Sequence, residues 1–272
     1  MRANRVVEGS IHGFLRVLEH TLESEEIARR AGLLQSLDPR VKLLGFLFLI
    51  VAAAASQRLE VIGVVFGFAT VMAICSRVPL GTLVIRVWAG AFAFTGLIAV
   101  PALFLTPGRP VGRLPVLGWA LTAQGIRGAT YLISRVETTA TLSMLLILCT
   151  PWAHVLKALR VLRVPVVLVV ILGMTYRYIL LMLATAEEMF ESRRSRMVGK
   201  LEAKEARRLA VATAGVLLSK TMQLSGDVYL AMQSRGFSGE VYVLDEFEMK
   251  RGDWSWLALF LALGAAAMWM GH

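Results

Sequence analysis

Apolar residues fall into long runs broken by short polar stretches, the pattern of a chain that threads a bilayer. The runs at about 41–56, 59–76, 86–105, 124–149 and 254–271 approach the roughly 20 residues that a helix needs to cross hydrocarbon, and they predict five spans. The stretch "LDPRVKLL", 37–44, opens the first. Asp38 can cap a helix N-terminus, and Pro39 takes the first helical position, where a missing N–H costs nothing. The link "SQRLE", 56–60, is short and predicts a tight hairpin between spans one and two. "GVVFG", 63–67, has the small-xxx-small spacing that lets helix backbones approach closely. "TPGRPVGRLPVLG", 106–118, holds three prolines and three glycines, which predicts an extended loop.

Other segments are amphipathic. Within 10–30, Ile11, Phe14, Leu15, Leu18 and Leu22 recur at helical spacing, as in a helix lying on a membrane or against another part of the protein. Residues 164–183 are apolar enough for a span, and 184–199 continue the same helix with Glu187, Glu188 and Glu191 followed by an arginine cluster. A second long helix is predicted over 202–234, charged at its start and apolar from "LAVATAGVLL" onward.

Composition fits membrane insertion: 57% of the 272 residues are hydrophobic and mean hydropathy is +0.65. The net charge of +10 lies between apolar runs, where it fixes topology and meets anionic headgroups. No interleaved aromatic and basic surface suggests nucleic acid, so none is expected as a partner. Arg2, Arg5, Arg29, Arg30, Arg40 and Lys42 place the N-terminus inside; Arg77 and Arg86, then Lys157, Arg160 and Arg163, do the same after spans two and four. A crossing by 164–183 would put the charged block 187–236 outside. This segment, with Arg177 within it, is therefore expected to stay out of the crossing count as a buried or in-plane helix. The N-terminus lacks the unbroken apolar core of a signal peptide, because Glu8, Arg16 and Glu19 interrupt it. The expectation is an uncleaved, multi-pass inner-membrane protein with its N-terminus cytoplasmic.

Two short elements repeat in the polar block: Ser195-Arg196-Met197 and Ser234-Arg235-Gly236, their arginines 39 positions apart (196 to 235). A guanidinium stays charged and offers a rigid donor fork to a carboxylate. A small neighbour admits a partner backbone, and Gly236 allows a helix to stop in the left-handed conformation. Two such ends predict two docking points.

The ordered set "LDPRVKLL", "TYRYILLMLATAEEMFESRRSRM" (175–197) and "AMQSRGF" (231–237) resembles the transmembrane T component of energy-coupling factor transporters, and within that family the cobalt-type CbiQ. The resemblance covers about 30–250. It implies a scaffold whose two cytoplasmic coupling helices end in Ala-Arg-Gly motifs. Those arginines dock into two ABC-type ATPase subunits, and the scaffold passes their motion to a substrate-binding membrane subunit. Serine replaces alanine in both motifs here, and Met197 replaces the first glycine. The stretch before "LDPR" resembles metal-type members, which points to cobalt or nickel.

The expected architecture is an all-α integral membrane protein: a cytoplasmic amphipathic segment at 1–40, four spans over 41–150, a cytoplasmic coupling domain over 151–250 and a last span over 251–272. The sequence has no G-x-x-x-x-G-K-[ST] phosphate loop, so ATP hydrolysis is expected of partners. His12, His20, His154 and His272 are scattered, and Cys75 and Cys149 have no C-x-x-C spacing, so neither cofactor nor metal is expected. No hydrolase signature is present. Glu137, inside span four, is either paired with Arg127 or Arg135 or functional in its own right. The rival class is a stand-alone secondary transporter, which predicts inverted repeats that this sequence does not display.

Overall fold

A computed structural model describes residues 27–28, 32–106, 110–113, 120–196, 203–237 and 249–271. The chain divides into two compact units, one of Glu25–Ala158 with Phe247–His272 and one of Met1–Ser24 with Leu159–Glu246. Among the described residues, the regular structure is helical apart from a two-stranded ribbon. The amphipathic pattern at 10–30 falls almost wholly outside the described residues.

The first unit opens with a single turn, α1 (Leu33–Ser36), then α2 (Pro39–Ala55) and α3 (Leu59–Cys75). Asp38 caps α2 as its type predicts, its Oδ1 accepting the Arg40 N–H at 2.8 Å with Pro39 in the first turn. A short helix α4 (Leu80–Leu83), a π-helical turn (Val84–Trp88) and α5 (Ala89–Leu105) follow. Next come strands β1 (Pro110–Arg113) and β2 (Ala120–Thr122), helix α6 (Ala123–Leu148) and, from Phe247 on, the last helix, α10 (Arg251–Gly271). The strands pair antiparallel with an irregularity between Pro110 and Gly112, so the expected loop is partly an ordered ribbon. Pro110 is tolerated because it starts the strand.

Close packing centres on α2 and α10. A Cβ on Gly45 would lie 2.5 Å from the Phe260 ring, and one on Gly264 would lie 2.5 Å from Phe48. Phe260 is fully buried against Phe46, Phe68 and Trp256, with ring centroids 5.6, 5.9 and 6.1 Å away. By contrast, a Cβ on Gly63 or Gly67 would meet nothing within 4 Å, so that small-residue pair mediates no close approach among the described residues. Helix α6 carries its hydroxyls safely through the apolar interior. Thr138, Thr141 and Ser143 donate to carbonyls one turn earlier, which removes the cost of an unpaired donor. Trp88 Nε1 donates to Thr141 Oγ1 at 3.1 Å, and the Tyr131 hydroxyl donates to the Ser56 carbonyl. These bonds tie α6 to the π turn and to the end of α2.

The second unit is built from two long helices, α8 (Val166–Arg196) and α9 (Ala203–Ser234), with α7 (Trp152–Val161) leading into it across the division at 158/159. Six residues, 197–202, separate α8 from α9. Thr221 Oγ1 approaches Met182 Sδ at 3.3 Å. Met182 lies 14 positions before the end of α8 (182 to 196) and Thr221 lies 18 after the start of α9 (203 to 221). The two helices therefore form an antiparallel hairpin.

Among the described helices, Ala123–Leu148, Val166–Arg193 and Arg251–Gly271 are long and apolar enough to cross a membrane, and Leu59–Cys75 and Ala89–Pro101 are apolar but shorter. The protein is an all-α membrane protein. Helix α8 has the length to cross, so the expectation that 164–183 stays out of the crossing count rests on charge alone.

Candidate functional site

The two serine–arginine pairs sit at two helix ends. Ser195 and Arg196 are the last residues of α8, and Ser234 is the last of α9, with Arg235 next. Ser195 Oγ donates to the Ser192 carbonyl at 2.9 Å, and Ser234 Oγ donates to the Ala231 carbonyl at 2.9 Å. Both serines thus close the same three-residue bond back onto the last turn of their own helix. Both arginines are exposed. Met197 lies outside the described residues.

The second end is fully defined. Phe237 N–H donates to Met232 O at 3.0 Å and Gly236 N–H donates to Gln233 O at 3.0 Å, with Gly236 at φ +71°. This is the Schellman stop, which needs a residue in the left-handed region and most often uses glycine. Arg235 is the residue just before that turn, so its backbone is held at both sides by cap bonds.

Sequence periodicity does not show how far apart the two ends are. In an antiparallel hairpin Arg196 lies near the start of α9 and Arg235 at its finish. Helix α9 has 32 residues, which at 1.5 Å each is about 48 Å. Two arginines at opposite ends of such a rod cannot enter one groove.

Between α8 and α9 lies an apolar cleft of about 690 Å³, lined among others by Met174, Tyr178, Met182, Leu224, Val228 and Met232. The signal for it is a stripe of Leu217, Leu224, Val228 and Met232 at helical spacing. Its other wall gives no such stripe, because the first half of α8 is apolar at almost every position. Val211, Leu218, Met222 and Leu230 of α9 are also exposed, so this helix presents apolar surface beyond the cleft.

Glu137 does not pair with Arg127 or Arg135. Its Oε2 is buried without a hydrogen bond, while the Arg135 guanidinium lies 5.6 Å from the centre of the Tyr131 ring. The Arg135 charge is engaged by the ring face instead. His154, in the first turn of α7, is half-buried. Burial, and then the Lys157 and Lys42 charges, hold its imidazole below the usual range. Among the described residues, no three His, Cys, Asp or Glu side chains are grouped to hold a metal ion.

A family model described as "Cobalt transport protein", CbiQ, matches residues 31–243. An uncharacterized protein of Methanocaldococcus jannaschii, MJ1571, is 31% identical over 267 residues, covering 96% of this chain and 91% of its own.

Proposed function

The chain belongs to the CbiQ family of cobalt transport proteins, and from that premise we propose that it is the energy-coupling scaffold of an ATP-driven importer. Arg196 and Arg235 dock into two ABC-type ATPase subunits, and α8 and α9 carry their closure to a separate substrate-binding membrane subunit. The substrate is cobalt or nickel ion, held by that subunit and not by this chain. In this scheme 164–183 does not cross, and the arginine block stays cytoplasmic beside the ATPases.

The observation that carries the proposal is the matched pair of helix ends. Each ends in an exposed arginine beside a serine with its hydroxyl tied back to the helix, and about 48 Å of helix α9 lies between them. Fixed, charged and far apart, the ends suit two grooves of a dimeric partner. Arginine also supplies a two-point donor that needs no change of protonation as the partner moves.

Cobalt uptake by cells carrying Arg196→Glu with Arg235→Glu tests this. Uptake should vanish while the amount of chain in the membrane stays at the wild-type level. Unchanged uptake in the double variant contradicts the scaffold role. So does cobalt flux in liposomes holding the purified chain alone, which is what a stand-alone transporter would give.

A further inference from the structure

Lys42 is 1% exposed, one turn into α2. Its ammonium donates to the Cys149 carbonyl at 3.0 Å, across 107 positions of sequence. Cys149 is the C-cap residue of α6, and its own N–H closes back on Leu145 O at 2.9 Å. The lysine thus sits on the negative end of the α6 dipole, where a cation is favoured.

The surroundings of Lys42 join three helices. The Asp38 N–H donates to Asp253 Oδ1 at 3.2 Å, and the Lys250 N–H donates to Asp253 Oδ2 at 2.9 Å. That links the start of α2 to the start of α10, and the Asp38 and Asp253 charges act on Lys42. At Cys149 the chain leaves α6, passes Thr150 and Pro151, and enters α7. Helix α7 leads on to the hairpin that bears Arg196 and Arg235.

Taking an ammonium out of water is costly, and here the carbonyl bond and the charges of Asp38 and Asp253 offset that cost. What the ammonium adds is a directed bond that holds one carbonyl, at the joint where α6 gives way to α7. We propose that Lys42 is a positioning residue for energy coupling, pinning the end of α6 so that motion arriving through α7 is passed to the spans. The proposal rests on the scaffold reading above.

Lys42→Met keeps the length of the side chain and removes the bond. The test uses the complex purified through a tag on this chain, reconstituted in liposomes, with cobalt ion as probe. ATPase content, melting temperature, ATP hydrolysis and cobalt uptake are measured together. The variant should melt lower, because Asp38 and Asp253 lose their cation, yet keep the wild-type ATPase content, while cobalt taken up per ATP falls about tenfold, within the range expected when a coupling link is lost. Wild-type uptake per ATP in Lys42→Met overturns the proposal. Failure of the variant to assemble overturns it too, since that marks a folding role. A wild-type chain that brings down no ATPase overturns the scaffold reading itself, and that failure appears before any variant is made.

Discussion

Replacing Gly236 by alanine isolates the contribution of one backbone conformation to docking. A Cβ at Gly236 would meet nothing within 4 Å, so the substitution introduces no clash. What it does introduce is a left-handed alanine at φ +71°, which costs about 1–2 kcal/mol. The last turn can avoid that cost only by giving up the bonds of Phe237 and Gly236 to Met232 and Gln233, which frees Arg235 to sample other positions. If docking must restore the native turn, the full penalty is taken from affinity, a weakening of about 5- to 30-fold at 1.4 kcal/mol per factor of ten. Gly236→Asn, which tolerates the left-handed region better, should lie between alanine and wild type. The assay is a titration of the solubilised chain with its purified ATPase subunits. Wild-type affinity for Gly236→Ala would refute the idea that the Schellman stop presents Arg235.

Further predictions concern the spans and the joint. Phe260→Ala empties the fully buried site among Phe46, Phe68 and Trp256 and should cost about 3–5 kcal/mol, read as a lower melting temperature in detergent. Gly264→Ala forces a methyl to 2.5 Å from Phe48 and should cost about 1–3 kcal/mol by overpacking, while Gly63→Ala, in open space, should be tolerated in the same assay. The lowered His154 pKa has a definite sign: above pH 6.5 the imidazole is neutral folded or unfolded and contributes nothing. Below it the unfolded chain takes the proton first, so stability falls as pH drops through 6.5. His154→Gln should flatten the melting temperature between pH 7 and 5.5.

Long apolar runs made these helices legible, because in an apolar setting a helix satisfies its own backbone hydrogen bonds. The run at 41–56 is Pro39–Ala55 and that at 254–271 is Arg251–Gly271. The second begins earlier, in a first turn where Asp253 accepts from the Asp38 and Lys250 N–H groups. Which glycines meet was not legible. Gly63 and Gly67 share a motif spacing, yet a Cβ there would meet nothing within 4 Å among the described residues, whereas Gly45 and Gly264 lie far apart in sequence and pack against the aromatic rings of opposing helices. A motif states where a backbone can be approached; the tertiary fold decides where it is. Lys42 is the sharpest case. In the sequence it is one more positive charge marking the inner side, and in the structure it is buried on a helix end. The Ser195–Arg196 and Ser234–Arg235 pairs were legible from residue type and repetition, but the cap bonds and the hairpin that separates them arise only from the folded chain.

The most direct test of the two-ended docking is the stoichiometry of the complex drawn from solubilised membranes by a tag on this chain, read by native mass spectrometry. Wild type should carry two ATPase subunits, and Arg196→Glu with Arg235→Glu should carry none. Wild type without any ATPase, or a double variant that keeps both subunits, would contradict the account.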